Sequence, residues 1–275
     1  MKSTINKLED NTIELKIAVP WETVKKVKEE VLEAFVKEAE LPGFRKGMAP
    51  KKLVEERIDP DRLREEILKR ILPQGYVEAI KEHKINPIIN PKIHVDKLED
   101  EKDWEFTALT CEAPQIELGD YKDKIKTVTA KSKIAVPGKE QTQVGFDEVV
   151  KILMETVKIT IPAILVEGEV DRLLSQMLDE IKRLGLTLDQ YLASTKRTIE
   201  DLRAEYAQKA SNDLKLEFAL QKIADEEKIF AEDKEVEEAI TQAPNEAERQ
   251  NLMTNKNLLA VIIRQQKTLD FLRNL

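Results

Sequence analysis

The sequence predicts an α+β domain followed by an elongated, all-α domain, and three patterns support this division. The stretches Thr12–Val19 and Trp104–Cys111 alternate apolar and polar side chains with the period of a half-buried strand. Helical patterns lie between them, which predicts a small antiparallel sheet packed on helices. From Gly145 the apolar residues recur every three or four positions almost to the end of the chain. We therefore predict domains over residues 1–117 and 145–275, with a connector over residues 118–144.

The first domain begins with the strand Thr12–Val19, which Pro20 ends. From Trp21 to Glu40 an apolar stripe with helical spacing predicts an amphipathic helix. Glycine and proline then predict an ordered loop over Leu41–Pro50. Helical pattern resumes over Lys51–Ile58 and Asp61–His83. Pro73 and Gly75 predict a kink or interruption in the second of these helices. Two β-rich stretches follow, Asn86–Val95 and Trp104–Cys111.

Residues 118–144 are rich in Lys and Thr and have weak periodicity, so we interpret them as an extended connector. Beyond it, Gly145 precedes a helix, Pro162 suits the first turn of the next one, and Gly185 suits its C-terminal cap. Thr187 with Gln190, and Thr198 with Asp201, form N-terminal capping patterns for two further helices. Pro244, Asn245 and Glu248 mark the start of the last helix. The apolar face of that helix runs through Leu252, Leu259, Ile263 and Leu269. Helices of this length cannot bury both sides, so we expect exposed apolar grooves.

Composition excludes several classes of function. The chain has 275 residues and a net charge of −8, so its overall field does not favour nucleic acid. Cys111 is the single cysteine, which excludes an intrachain disulfide and a cysteine-based metal site. No signal-peptide core and no membrane-length apolar run is present, so we expect a cytoplasmic protein with no membrane partner.

Candidate catalytic residues are few. His83 and His94 lack partners at short, fixed spacing, and Cys111 ends a predicted strand, so structural roles are favoured for all three. The acidic clusters at Glu226–Glu227 and Asp233–Glu238 lack the spacing of a calcium loop and are interpreted as solvated faces. No phosphate-binding glycine loop occurs. We therefore predict no catalytic residue, no metal and no cofactor.

The loop Leu41–Pro50 carries the most informative residues. Gly43 and Gly47 flank Phe44, Arg45 and Lys46. Arginine makes bidentate pairs with carboxylates and phosphates, lysine adds a point charge, and an aromatic ring supplies an apolar anchor. The loop therefore suits docking to an acidic protein surface or to phosphates, although most charged loops between helices are only connectors.

The order Gly43–Gly47, followed by Ala49 and Pro50, resembles the signature of trigger factor, a ribosome-associated chaperone family. Met48 departs from it, because a basic residue is more usual there. Ile161–Leu174 resembles the start of the family's C-terminal body, and Leu186–Leu192 also fits. The resemblance covers both ends of the chain. The middle lacks room for the family's prolyl-isomerase domain, so we expect no enzyme activity.

The resemblance implies an ATP-independent chaperone that docks at the ribosomal exit tunnel and holds nascent or unfolded chains in an apolar cradle. Gly43, Phe44, Arg45, Lys46 and Gly47 would contact a large-subunit protein and adjacent ribosomal RNA. The resemblance also implies that the free protein can form a homodimer. Four residues are candidates for lining the client surface, although they suit a packed core equally well: Val170, Leu174, Met177 and Ile181.

Two alternatives remain open. One is a peptidyl-prolyl isomerase, the enzyme activity of full-length relatives. The other is a ribosome-independent holding chaperone with a similar helical body. The missing isomerase segment disfavours the first, and the signature loop disfavours the second.

Overall fold

The computed structural model describes residues 1–40, 42, 44–132 and 145–275. These residues form two compact units, of which the first comprises Met1–Ala113 with Pro162–Ile164 and the second comprises Pro114–Ile161 with Leu165–Leu275. The first unit is α+β and the second is almost entirely helical, which confirms the predicted fold class. Within the described residues, no helix combines the length and apolar character that crossing a bilayer requires.

The first unit contains a four-stranded antiparallel sheet in the order β1-β2-β4-β3. Its elements are β1 (Lys2–Lys7), β2 (Thr12–Val19), α1 (Trp21–Glu38), α2 (Lys51–Glu55), α3 (Pro60–His83), β3 (Lys92–Lys97) and β4 (Trp104–Cys111). The bounds of β2 and β4 match the prediction. Strand β3 lies later than the predicted Asn86–Val95, and β1, an edge strand, was not predicted. Both edge strands begin and end with lysine.

The core of this unit lies between the sheet and two helices. Alternate residues of the two central strands face this core: Ile13, Leu15, Ile17 and Val19 of β2, and Trp104, Phe106 and Ala108 of β4. The helices cover them with Val24 and Val31 of α1 and with Ile67 and Ile71 of α3. Helix α3 is continuous from Pro60 to His83, so the expected interruption near Pro73 and Gly75 does not occur. A Cβ atom at Gly75 would lie 2.9 Å from Cζ of Phe106, which shows how closely this helix approaches the sheet.

The second unit contains eight helices and one short strand pair within the described residues. Its elements are β5 (Ile116–Glu117), α4 (Tyr121–Ser132), α5 (Phe146–Thr156), β6 (Lys158–Ile159), α6 (Ala163–Arg183), α7 (Leu188–Thr195), α8 (Ile199–Glu226), α9 (Asp233–Thr241), α10 (Glu246–Thr254) and α11 (Lys256–Arg273). The first residues of α6 belong to the first unit.

The extended connector predicted from residue 118 is wrong for its first half. Tyr121 and Ile125 of α4 are buried in a core with Val149, Leu153 and Ile223, because their spacing places them on one helix face. Residues 133–144, the remainder of the predicted connector, lie outside the described residues. The boundaries of the two domains stay a prediction.

Local capping signals were accurate, but the last predicted helix is divided. Both threonine capping boxes form, and Gly185 adopts a φ of +74° after α6. The side chain of Asn245 accepts a hydrogen bond from the backbone N–H of Glu248 and starts α10, as its pattern predicted. That helix ends at Thr254, and α11 begins after Asn255, whose φ of −106° and ψ of 33° are not helical.

Candidate functional site

The loop between α1 and α2 contains an ordered turn over residues 45–48. Helix α1 ends where Ala39 adopts an extended conformation, and the carbonyl of Ala39 accepts a hydrogen bond from the N–H of Gly47 at 3.3 Å. The N–H of Met48 donates to the carbonyl of Arg45 at 2.9 Å, which closes a four-residue turn. Gly47 occupies its third position with a φ of +79°, a conformation that favours glycine. Ala49 is buried and anchors the end of the loop.

The predicted docking side chains project from this turn into solvent. Phe44 is 42% exposed although it is aromatic, and Arg45 and Lys46 are also exposed. Nζ of Lys46 lies 3.3 Å from Oε1 of Glu40, but both groups are solvated, so this pair is weak. The guanidinium of Arg45 makes no ion pair or hydrogen bond with another described residue. The turn therefore presents one apolar ring beside two available cations. Gly43, the fifth predicted residue, lies outside the described residues.

Neighbouring lysines are divided between paired and available charges. Lys51 donates to Glu33 at 2.6 Å, and this hydrogen bond lowers the pKa of the Glu33 carboxyl. Lys28 and Glu55 form a second pair at 2.8 Å. Lys52, which follows the loop in α2, is exposed and has no ion-pair partner among the described residues. The positive character around the turn thus extends along the start of α2.

The predicted client residues lie mainly inside the helical unit. Val170 packs with Ala210 of α8, and Met177 and Ile181 pack with Leu202. These three predicted residues are buried, while Leu174 is half-buried. Their burial supports the packed-core interpretation that the sequence left open.

Other apolar side chains of the helical unit are exposed, and the sequence analysis did not name them. Leu184 and Leu186 flank the turn after α6, and Ile199 begins α8. On α11 a second exposed group follows the spacing i, i+3, i+4, which was the available signal: Leu258, Val261 and Ile262. Val261 also lines a groove of about 180 Å³ between α8 and α11, with Leu220 and Ala224 on its other wall. Polar and charged residues complete the lining of this groove, namely Glu217, Gln221, Arg264, Gln265 and Thr268, so the expectation of exposed apolar grooves stays a prediction.

His83 and Cys111 have structural surroundings, whereas His94 is exposed on β3. Oγ of Ser3 donates to Oε2 of Glu82 at 2.5 Å and lies 2.9 Å from Nε2 of His83. The serine hydroxyl donates to Glu82 in this arrangement, so its contact with His83 belongs to a local hydrogen-bond network and gives no sign of a nucleophile–base pair. Cys111 is buried, and burial raises the pKa of its thiol to about 11. Among the described residues, no group of acidic, histidine and cysteine side chains could hold a metal ion.

Comparison with known families shows which family the chain belongs to. The family model described as bacterial trigger factor protein matches residues 1–144, and the model for the C-terminus of that protein matches residues 125–274. The chain belongs to the bacterial trigger factor family. The two models overlap over residues 125–144, so trigger factor segments cover the chain with no unmatched interval between them.

Individual trigger factors are similar over a shorter region. The trigger factors of Natranaerobius thermophilus and Staphylococcus epidermidis are each 38% identical over 122 residues, which is 44% of this chain. The match spans 27% and 28% of those relatives, respectively, so the aligned part is about a quarter of their length.

A solved structure has the same fold along the whole chain. It is titled "Promiscuous Substrate Recognition in Folding and Assembly Activities of the Trigger Factor Chaperone" and aligns with a TM-score of 0.67, covering 100% of this chain and 99% of that one. At 13% sequence identity, this likeness supports the fold and not the residues of a site.

Proposed function

We propose that this chain is an ATP-independent chaperone that docks on the large ribosomal subunit and holds nascent or unfolded polypeptides. The observation that carries the proposal is the exposed turn of Phe44, Arg45 and Lys46 in a member of the trigger factor family. Gly43 and Gly47 complete the proposed docking turn.

Docking follows from the chemistry of the turn. Moving the apolar ring of Phe44 from water into an interface lowers the free energy of binding. Such aromatic anchors supply most of the binding energy at many interfaces. Arg45 suits bidentate pairing with a carboxylate or phosphate, and Lys46 can exchange its weak pair with Glu40 for a ribosomal anion. Ribosomal protein and RNA at the tunnel exit together offer these partners. Phosphate contacts make the affinity decrease with salt.

Client holding is assigned to the exposed apolar groups of the helical unit. Leu258, Val261 and Ile262 lie side by side on α11, next to the groove against α8. Apolar contacts are non-directional, so such a surface accepts many unfolded segments weakly and reversibly. No nucleotide is needed, because each contact forms and breaks through thermal exchange with solvent.

Proline isomerisation is not part of the proposed function. The two trigger factor models leave no unmatched segment between them that could contain a separate isomerase domain. Catalysis of cis–trans exchange in a proline peptide by this chain would contradict this part of the proposal and favour the isomerase alternative.

Ribosome pelleting tests the docking turn. We expect the triple substitution Phe44→Ala, Arg45→Ala and Lys46→Ala to weaken pelleting with ribosomes by about tenfold or more, because it removes the anchor and both cations. Wild-type binding should also decrease between low and moderate salt, and the triple variant should lose part of this salt dependence.

A matched control removes the same three residue types from the helical unit. Phe230→Ala, Arg183→Ala and Lys182→Ala replace exposed side chains and change the net charge equally. This control should pellet like the wild type. Equal pelleting of the docking variant and the wild type would reject the docking role and leave the ribosome-independent holding chaperone as the better interpretation.

A further inference from the structure

Met48, the residue directly after the docking turn, carries an exposed sulfur atom that neither the charge nor the geometry of the turn requires. Met48 is 72% exposed, and its backbone N–H, but not its side chain, closes the turn onto Arg45. The thioether of Met48 faces solvent one residue after Gly47. It therefore adds apolar surface beside the docking turn without contributing to the core.

The other sulfur atoms of the chain are better protected, with one exception. The chain has five methionines and one cysteine. Met177 is buried, and Met1 and Met154 are half-buried. Cys111 is buried, and its thiol stays protonated at neutral pH because burial raises its pKa to about 11. Met253 on α10 is 61% exposed and lies in the other unit.

We propose that Met48 is a reversible oxidation site through which peroxides weaken ribosome docking. This proposal rests on the proposed docking function. The methionine sulfur attacks one peroxide oxygen, the O–O bond breaks, and an S–O bond forms while water leaves. The sulfur loses two electrons and the peroxide gains them. Methionine sulfoxide reductases reverse the change with electrons from thiols and release water.

Oxidation at Met48 changes docking and not folding. The sulfoxide is polar and has a strong acceptor oxygen, so burying it against a partner costs free energy that burying the thioether does not. In the free protein the side chain already faces water, and the fold keeps its core. We expect oxidation to weaken ribosome binding by about three- to tenfold while leaving the melting temperature unchanged.

The test compares wild type with two leucine variants. Leucine keeps the apolar volume of methionine but cannot be oxidised by peroxide. The experiment treats three proteins with hydrogen peroxide and then removes the peroxide: wild type, Met48→Leu and Met253→Leu. Mass spectrometry measures sulfoxide at each methionine. The treated proteins are then pelleted with untreated ribosomes. Wild type and Met253→Leu should lose affinity, Met48→Leu should not, and the reductases should restore the loss. Equal loss in Met48→Leu, or no loss in wild type that carries the sulfoxide, would overturn the proposal.

A footprint separates this proposal from the docking function itself. Peroxide is added to the chaperone with and without ribosomes, and the rate of sulfoxide formation is followed at Met48 and at Met253. Docking through the turn should slow oxidation at Met48 and leave the rate at Met253 unchanged. Untreated protein that does not pellet and shows no protection rejects both proposals. If the protein pellets with ribosomes and Met48 is protected, but oxidation of Met48 does not weaken pelleting, only the oxidation proposal is rejected.

Discussion

Two helical glycines, Gly75 and Gly168, illustrate how surroundings decide the effect of one methyl group. A Cβ atom at Gly75 would lie 2.9 Å from Cζ of the buried Phe106 and 3.2 Å from Sδ of Met1. A Cβ atom at Gly168 in α6 would meet nothing within 4 Å. Alanine improves helix propensity at both positions, but only Gly75 is opposed by atomic overlap.

The same substitution should therefore have opposite effects. We expect Gly168→Ala to raise the free energy of unfolding by about 0.5–1 kcal/mol, because alanine reduces the entropy of the unfolded chain. Gly75→Ala should lower it by about 1–2 kcal/mol, because overpacking exceeds the gain in propensity. Urea unfolding followed by circular dichroism measures both, and equal shifts of one sign would contradict the steric argument.

The sequence pattern predicted the backbone conformation of the docking turn, but not which charged side chains around it form pairs. Gly47 signalled a turn, and the structure gives it a φ of +79°. The pairing of Lys46 with Glu40 and of Lys51 with Glu33 was not predictable, because it depends on how the loop returns alongside α1. Burial of Val170, Met177 and Ile181 was also undetermined, since an apolar stripe does not state whether a second helix covers it.

At the scale of elements, regular alternation was the reliable signal. Strands β2 and β4 have one strongly apolar face each, and their bounds were predicted to the residue. Strand β1 was missed because an edge strand exposed on both faces carries mostly polar side chains. Helix α4 was missed because lysine and threonine dominate it, although Tyr121 and Ile125 already had helical spacing.

The exposed stripe of α11 leads to a prediction about client holding. Replacing Leu258, Val261 and Ile262 together by Gln should increase by about threefold or more the amount of chaperone needed to suppress aggregation of a denatured protein, since apolar contact area is lost. Because these side chains are exposed, the melting temperature should change by only a few degrees.

A control on the same helix distinguishes this effect from a general loss of stability. Asn257→Ala and Gln266→Ala change two exposed polar positions and should leave aggregation suppression as in the wild type. Unchanged suppression by the α11 triple variant would show that clients bind elsewhere.

For the whole molecule, carboxylates held by hydrogen bonds make stability depend on pH. The ammonium of Lys267 donates to both oxygens of Glu235 at 2.7 and 2.8 Å and lowers the pKa of that carboxyl. The backbone N–H of Thr198 donates to Asp201 and lowers its pKa as well. These two carboxylates therefore bind protons only at a lower pH in the folded state than in the unfolded state. This stability is fully present above the unfolded pKa values and is lost as pH falls through the lowered folded values.

We accordingly expect the free energy of unfolding to fall as the pH decreases below about 4.3, the ordinary range of glutamate. Urea titrations at several pH values from 7 to 3 measure this decrease. Glu235→Gln should make the decrease shallower because it removes one contributing carboxylate. A free energy of unfolding that stays constant down to pH 3 would refute the expectation.

The lysines at both ends of the edge strands have a consequence for the proposed holding of unfolded chains. Strands β1 and β3 form the two borders of the sheet within the described residues, and each begins and ends with a lysine. Strand β3 also changes register between Val95 and Lys97. Charged ends and irregular pairing hinder the addition of a further strand. If the chain holds unfolded polypeptides as proposed, these features would keep it from becoming a template on which its own clients assemble into larger sheets.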